Sequence, residues 1–328
     1  MAGIDLQDVV EAALETIPNK RKRDLLSTAS KGRAIGVGGK TVAAAVRSSE
    51  RDVTINGQRA QYLMQQAVQR VSSGKTTILD GVEVGKEGIP LKFKCDTRSS
   101  ATAVSTEVEN LQRIRNKNGA SAYKRHFVGF TEYVKDYNGR GDSVMVMQAE
   151  SMDMRKLADT NRGNLAPGTL RKYAREMFAV VRCLDKADLV WTDLKLDNLV
   201  LCKGGEVKAI DLENAVPARS APNAYTPLSL PPDFAGTATG GFGGATVDRS
   251  FHVWGLGMAI LHLYMGRGYF EGRSDPEIIA QVSKPGFAVD LSAIKDGRLR
   301  SVLEGLLDPA PIKRVRHFDS PTTRLALL

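Results

Sequence analysis

Short strand-like runs recur between residues 66 and 148 and helical patterns dominate after residue 168, an order that predicts an α+β fold. A small antiparallel β-rich lobe comes first and a larger α-helical lobe follows. The 328 residues, 42% hydrophobic and 25% charged, suffice for one large domain or two lobes with ample core. Four parts are expected: a helical and basic extension at 1–60, the β-rich lobe at 61–151, the helical lobe at 152–318 and a tail at 319–328.

In the extension, Leu6, Val9, Val10, Ala13 and Leu14 recur at helical spacing, and Asp5 can cap that helix. The basic cluster NKRKRD at 19–24 reads as solvated linker charge or as a nuclear localisation signal. GVGGKT, at 36–41, fails the phosphate-loop pattern because Ala34 stands where a glycine is required and no apolar strand leads into it.

Strand-like runs then follow closely: AVQRV (67–71), TILDGVEV (77–84) and IPLKFKC (89–95), with SSGKT (72–76) and GKEG (85–88) as turns. A helix is expected over TAVSTEVENLQRIRN (102–116), where Glu107 and Leu111 share a face. FVGFTEYV (127–134) and SVMVMQ (143–148) read as two strands around the turn DYNGRGD. Beyond them, Leu170, Tyr173, Phe178, Val181 and Leu184 mark a helix over 168–188. The proline- and glycine-rich stretch after Glu213 reads as loop rather than packed elements, and VWGLGMAILHLYMGRGYF (253–270) as a buried helix.

Composition narrows the function classes. No apolar run approaches the roughly 20 residues of a membrane helix. Asp5, Asp8, Glu11 and Glu15 fall where a signal peptide has its basic start and apolar stretch, so a cytoplasmic or nuclear location is expected. Cys95, Cys183 and Cys202 are far apart, without pairing or metal-ligand spacing, which suits a reducing compartment. The four histidines are equally scattered. The net charge of +9 is spread along the chain without interleaved aromatics, so nucleic acid is not favoured as a partner. Nothing in the sequence fixes the oligomeric state.

The chemistry concentrates in VWTDLKLDN (190–198) and VKAIDLEN (207–214). A short loop holds Asp193, Lys195 and Asn198, and a short apolar run ends in Asp211. A carboxylate, an amine, an amide and a second carboxylate are the equipment of phosphoryl transfer. Asp193 can accept a hydroxyl proton, Lys195 can offset charge on the moving group, and Asn198 and Asp211 can hold magnesium through oxygen. On residues alone, Lys92 and Lys94 are equally readable as exposed strand lysines, Met147 as core, and Glu107 or Glu109 as a surface charge.

The D-L-x-x-x-N pattern followed by Asp211 resembles the catalytic loop and metal-binding aspartate of eukaryotic-type protein kinases. Further likenesses occur in the right order from about residue 66 to 318: PPDFAG (231–236) resembles the family's A-P-E, VWGLG (253–257) its buried D-x-W-S-L-G helix, and LLDPAPIKRV (306–315) its closing D-P-x-x-R. The resemblance implies a two-lobed protein kinase-like fold that takes ATP and Mg2+ and transfers phosphate to Ser/Thr hydroxyls of a protein substrate. It assigns catalysis to Asp193 and Lys195 and metal binding to Asn198 and Asp211. To ATP binding it assigns Gly74 in the turn over the phosphates, Lys92 as the strand lysine, Glu107 as its partner, Met147 at the back of the adenine pocket, Gln148 to Glu150 as the hinge, and Val200. Arg314 pairs with Asp233 if a small shift in the last motif is allowed, and is otherwise an exposed tail arginine.

Several positions depart from the family's pattern. Trp191-Thr192 precede Asp193 where His-Arg is common, so the usual receptor for an activation-loop phosphate is missing. Leu212-Glu213 replace Phe-Gly after Asp211, and Glu213 lacks glycine's freedom at positive φ. Pro90 removes a ladder donor from a strand that is usually internal, and His252 replaces the aspartate that anchors the catalytic loop. An active Ser/Thr kinase is the first reading; the alternative is a pseudokinase that binds or scaffolds with weak or no transfer. A small-molecule phosphotransferase of related fold fits less well, since such enzymes generally lack Lys195 and a segment like PPDFAG.

Overall fold

The computed structural model describes residues 52–65, 71–72, 76–96, 102–149, 152–238 and 245–327. The helix expected around 6–14, the basic cluster at 19–24 and the GVGGKT stretch lie outside these residues.

The first lobe is a curled sheet of β1 (Asp52–Asn56), β2 (Gln61–Gln65), β3 (Val71–Ser72), β4 (Thr76–Glu83), β5 (Lys86–Asp96), β6 (Phe130–Val134) and β7 (Val144–Gln148). Its order is β1-β2-β4-β5-β7-β6, with β3 also pairing β4, and every pairing is antiparallel. β1 lies within the stretch expected as extension, so the sheet takes in residues ahead of position 60.

Alternation divides the two faces. Leu91, Phe93 and Cys95 of β5 pack with Ile55, Tyr62, Met64, Leu79, Val144 and Val146 into a small core of their own. Lys92 and Lys94 project from the other face, where Met145 joins Val104, Val108, Leu111 and Ile114 of helix α1 (Ala103–Asn118) in the larger core. Pro90 sits opposite Val82 where the β4–β5 ladder shifts register, and its carbonyl accepts from Ala149 N at 3.4 Å. At that bulge the missing N–H interrupts little regular ladder.

The second lobe contains α2 (Ala120–His126), β8 (Met152–Asp153), α3 (Met154–Asn161), α4 (Pro167–Lys186), β9 (Leu189–Trp191), β10 (Leu199–Leu201), β11 (Val207–Ala209), β12 (Ala215–Pro217) and α5 (Pro232–Ala238). After residue 245 come α6 (Arg249–Met265), α7 (Asp275–Val282), α8 (Gly297–Leu306), α9 (Pro311–Asp319) and α10 (Pro321–Ala326). α4 realises the helix expected over 168–188. α6 begins four residues before its expected span, because the Asp248 side chain caps it by accepting from Ser250 N at 2.7 Å. It is buried on nearly every side from Ser250 to Leu261 and forms the axis of the lobe. Among the described residues, no helix is long and apolar enough to cross a membrane.

The stretch after Glu213 corrects an expectation. Up to residue 238 it is packed rather than loose: β12 pairs with β9, a 3-10 turn spans Pro227–Ser229, and Leu230, Phe234 and Ala235 are buried; 239–244 lie outside the described residues. Pro227 and Pro232 open their elements and Pro217 closes one, positions at which a missing N–H costs nothing. Arg314 settles the alternative left open above. It is fully buried; Nη2 donates to Asp233 Oδ1 at 2.5 Å, and Nη1 donates to the carbonyls of Asp308 at 2.8 Å and Pro309 at 3.0 Å. Its guanidinium also lies 5.4 Å from the centroid of the Trp254 ring.

Candidate active site

The loop bearing Asp193 is anchored before it reaches the cleft. Trp191, the last residue of β9, is fully buried and pairs with Ala215 of β12. Its backbone N–H donates to His252 Nδ1 at 3.4 Å, and His252 Nε2 lies 2.9 Å from Asp185 Oδ1. A backbone donor on Nδ1 requires that nitrogen to be bare, which puts the proton on Nε2, facing Asp185. Arg249 donates to the other Asp185 oxygen at 2.6 Å. Burial alone would push the Asp185 carboxyl up, but the His252 and Arg249 contacts outweigh it and hold the group below its ordinary range. Next in the chain, the Thr192 hydroxyl lies 2.8 Å from Asn214 O and 2.6 Å from Ala224 O, joining the loop to the segment after Asp211 without an arginine.

Asp193 is buried, and its carboxylate is gripped from two sides. Lys195 Nζ lies 2.8 and 3.0 Å from its two oxygens, and Asn198 Nδ2 donates to Oδ2 at 2.9 Å and to the Asp193 carbonyl at 2.8 Å. Burial pushes this carboxyl up despite the opposing pull of Lys195 and Asn198. Asn198 closes a 3-10 turn over Leu196–Asn198, and its carbonyl accepts from Ile210 N at 2.9 Å. That bond ties the loop to the approach of Asp211, which stands in the left-handed region with φ 61. An aspartate there is uncommon but accessible. Trp191 Nε1 steadies this corner by donating to Asp211 O at 3.2 Å.

Lys94 reaches the same corner from the sheet. Its Nζ lies 2.6 Å from Glu107 Oε2, 2.8 Å from Asp211 Oδ1 and 3.0 Å from Glu213 Oε2. Burial would lower this amine, but the three carboxylates outweigh it and raise it above its ordinary value. Glu107, on α1, also accepts from Leu212 N at 3.1 Å. The strand lysine at this cluster is therefore Lys94 and not Lys92. Both share a face of β5, but Lys92 sits one pleat away, opposite Asp80 and Met147, and pairs with Asp80. Glu109 is exposed. Burial is the main influence on Glu213 and pushes its carboxyl up; Glu213 has no positive φ, the left-handed position having moved to Asp211.

A cleft of about 750 Å³ brings Asp193, Lys195, Asn198, Asp211 and Glu213 together beneath Ile78 of β4. Met147 is half-buried on β7, Gln148 is exposed, and Val200 is buried on β10 between Asp153 and Lys208. None of these three is among the cleft's described lining residues, and Gly74 and Glu150 lie outside the described residues. The donor set suits a hard divalent cation. Both described contacts of the Asn198 side-chain amide nitrogen go to Asp193, so its amide oxygen is the atom with which it could hold a cation, and Asp211 adds a carboxylate on the same cleft.

Sequence reasoning missed Lys94 and the attachment of Glu213 to it. Pro90 carried the signal for the first. Aligning Ile89-Pro90-Leu91-Lys92 with the family's strand puts proline inside a central ladder, whereas Leu91-Lys92-Phe93-Lys94 clears it.

A curled sheet and a helical lobe facing one cleft, with two acids, an amine and an amide on its wall, define the two-lobed protein kinase fold. The family model described as protein kinase domain matches residues 92–317, more than half of the chain, and the chain belongs to that family. A serine/threonine-protein kinase prpf4B of Dictyostelium discoideum is 23% identical over 176 residues, 53% of this chain and 21% of the relative. The CTD kinase subunit alpha of Schizosaccharomyces pombe is 22% identical over 52% of this chain and 27% of its own length. The matches to these curated relatives thus span about a fifth to a quarter of their length. Among solved structures, a ROP18 kinase domain in complex with AMP-PNP and sucrose aligns with a TM-score of 0.63 and 15% identity, covering 88% of this chain and 87% of that one. At that identity the likeness establishes the fold.

Proposed function

We propose that this kinase domain transfers the γ-phosphoryl group of ATP to a Ser or Thr hydroxyl of a protein substrate, with magnesium as cofactor. The observation that carries the reading is Asp193, held by Lys195 and Asn198 on the wall of the cleft that also bears Asp211. In this reading the substrate hydroxyl gives its proton to Asp193 as its oxygen bonds to the γ-phosphorus, and the bond to the ADP oxygen breaks. Lys195, beside Asp193, offsets negative charge on the group in transit. Asn198 and Asp211 would hold the magnesium, which when bound neutralises phosphate charge. Lys94, aligned by Glu107, would contact the nucleotide's phosphates.

The test is radiolabelled ATP with a generic protein acceptor, using wild type and Asp193→Asn. The variant keeps the cleft's shape but loses the proton acceptor, so transfer should fall by at least about a hundredfold while ADP binding persists. Undiminished transfer in the variant would refute the assignment of the base. A second reading, a binding protein with weak transfer, is favoured by the three carboxylates that already surround Lys94. ADP binding without transfer in the wild type would select it.

A further inference from the structure

We propose that Glu213 is the exchangeable ligand of Lys94, a carboxylate that occupies the amine until a nucleotide phosphate displaces it and so sets the affinity for phosphorylated nucleotides. The proposal rests on the nucleotide reading of the cleft. A lysine ammonium has three N–H donors, and three carboxylates lie within 3.0 Å of Lys94 Nζ. Glu107 and Asp211 take two of these donors, and Glu213 stands 3.0 Å away on the remaining side, where an incoming phosphate has to displace it.

The three are not held alike. Glu107 is fixed at both oxygens, by Lys94 and by Leu212 N. Asp211 hydrogen-bonds Lys94 through Oδ1, and its backbone is pinned by Trp191. Glu213 Oε2, although 3.0 Å from Nζ, makes no hydrogen bond among the described residues. It is the least tied of the three. Asp211 and Glu213 both line the cleft, whereas Lys94 and Glu107 do not, and of these two carboxylates only Asp211 is held to the amine by a hydrogen bond. An incoming phosphate therefore meets Glu213 before it meets the amine, and one anion replaces another. The exchange weakens binding of phosphates and leaves a nucleoside without them indifferent.

Calorimetric titration of the full chain with Mg-ADP and with adenosine tests this, on wild type, Glu213→Gln and Glu213→Ala, with a thermal melt of each as a fold control. Both variants should bind ADP about tenfold more tightly than wild type while adenosine affinity stays within about twofold. Glutamine keeps the shape and loses the charge, so it decides the matter if alanine disturbs the fold. ADP binding that is unchanged or weaker in a folded Glu213→Gln protein overturns the proposal. Equal tightening for ADP and adenosine also overturns it, because that marks a general change in the cleft. If wild type and variants alike fail to bind either ligand, the nucleotide reading falls and this proposal with it.

Discussion

Lys92 and Lys94 stand on one face of β5, about 7 Å apart along the strand, and that single pleat decides their chemistry. Lys92 meets Asp80 in a partly exposed pair, of a kind worth about 0–1 kcal/mol. Lys94 is buried among three acids that link the sheet, α1 and the residues after β11. Lys94→Met should therefore lower phosphate transfer from Mg-ATP by more than about a hundredfold, and Lys92→Met by no more than about threefold, read as initial rates of label incorporation. Equal losses in the two variants would restore Lys92 to the role first expected of it. At this scale the sequence was most legible where chemistry is local. Asp193, Lys195 and Asn198 fall within six residues, and the loop that holds them is set by those same residues. Glu213 was legible as a departure from glycine but not as a neighbour of Lys94. The two are far apart in the chain, and only the folded sheet brings them within 3.0 Å.

At the scale of elements, the loop after β9 is hung on the start of α6 and the end of α4. His252 was recognisable in the sequence as a substitute for an anchoring aspartate, yet nothing local indicates that Asp185, 67 residues earlier, completes it. Arg249, one turn before His252, holds Asp185 and also reaches Asp319 at 2.9 Å, which binds α4, α6 and α9 in one polar junction. The Asp185 carboxyl lies below its ordinary range, so it stabilises the fold in its charged form. That contribution is complete above the unfolded carboxyl's value of about 4 and is lost as pH falls through the lower folded value. Asp185→Asn should then lower stability at pH 7 by about 2–3 kcal/mol, with the gap from wild type narrowing at lower pH. Urea titrations at pH 7, 5 and 3 measure it; a gap that stays constant to pH 3 would show that the Asp185 charge does not stabilise the fold. The packed stretch from Ala215 to Ala238 was illegible for a related reason. Its prolines were read as breakers, but at the ends of elements the same missing N–H is harmless.

For the whole molecule, the α+β order was plain from texture, because strand and helix periods differ and here they are segregated along the chain. Where the sheet starts was not, since β1 is one five-residue strand whose partner follows a short turn. Glu132, buried on β6, shows what β1 and its turn contribute. Its carboxylate accepts from Gln58 N at 2.5 Å, from Arg59 N at 3.2 Å and from the Tyr62 hydroxyl at 3.0 Å. Tyr62 is held well above its usual value, to about 12, by burial first and then by Glu132. A chain beginning at residue 61 keeps Glu132 but loses two of these three donors. It also loses Ile55 from the small core and leaves the β2 edge unpaired. An uncompensated buried carboxylate and an apolar gap together should destabilise this lobe by about 3–6 kcal/mol, and the bare edge should promote association. A chain beginning at Arg51 keeps all of these contacts and should melt close to the full chain. Comparing melting temperatures and light scattering of the two truncations locates the working boundary of the domain. Should the version starting at 61 melt as the full chain does, β1 would be dispensable and the boundary would belong at residue 60.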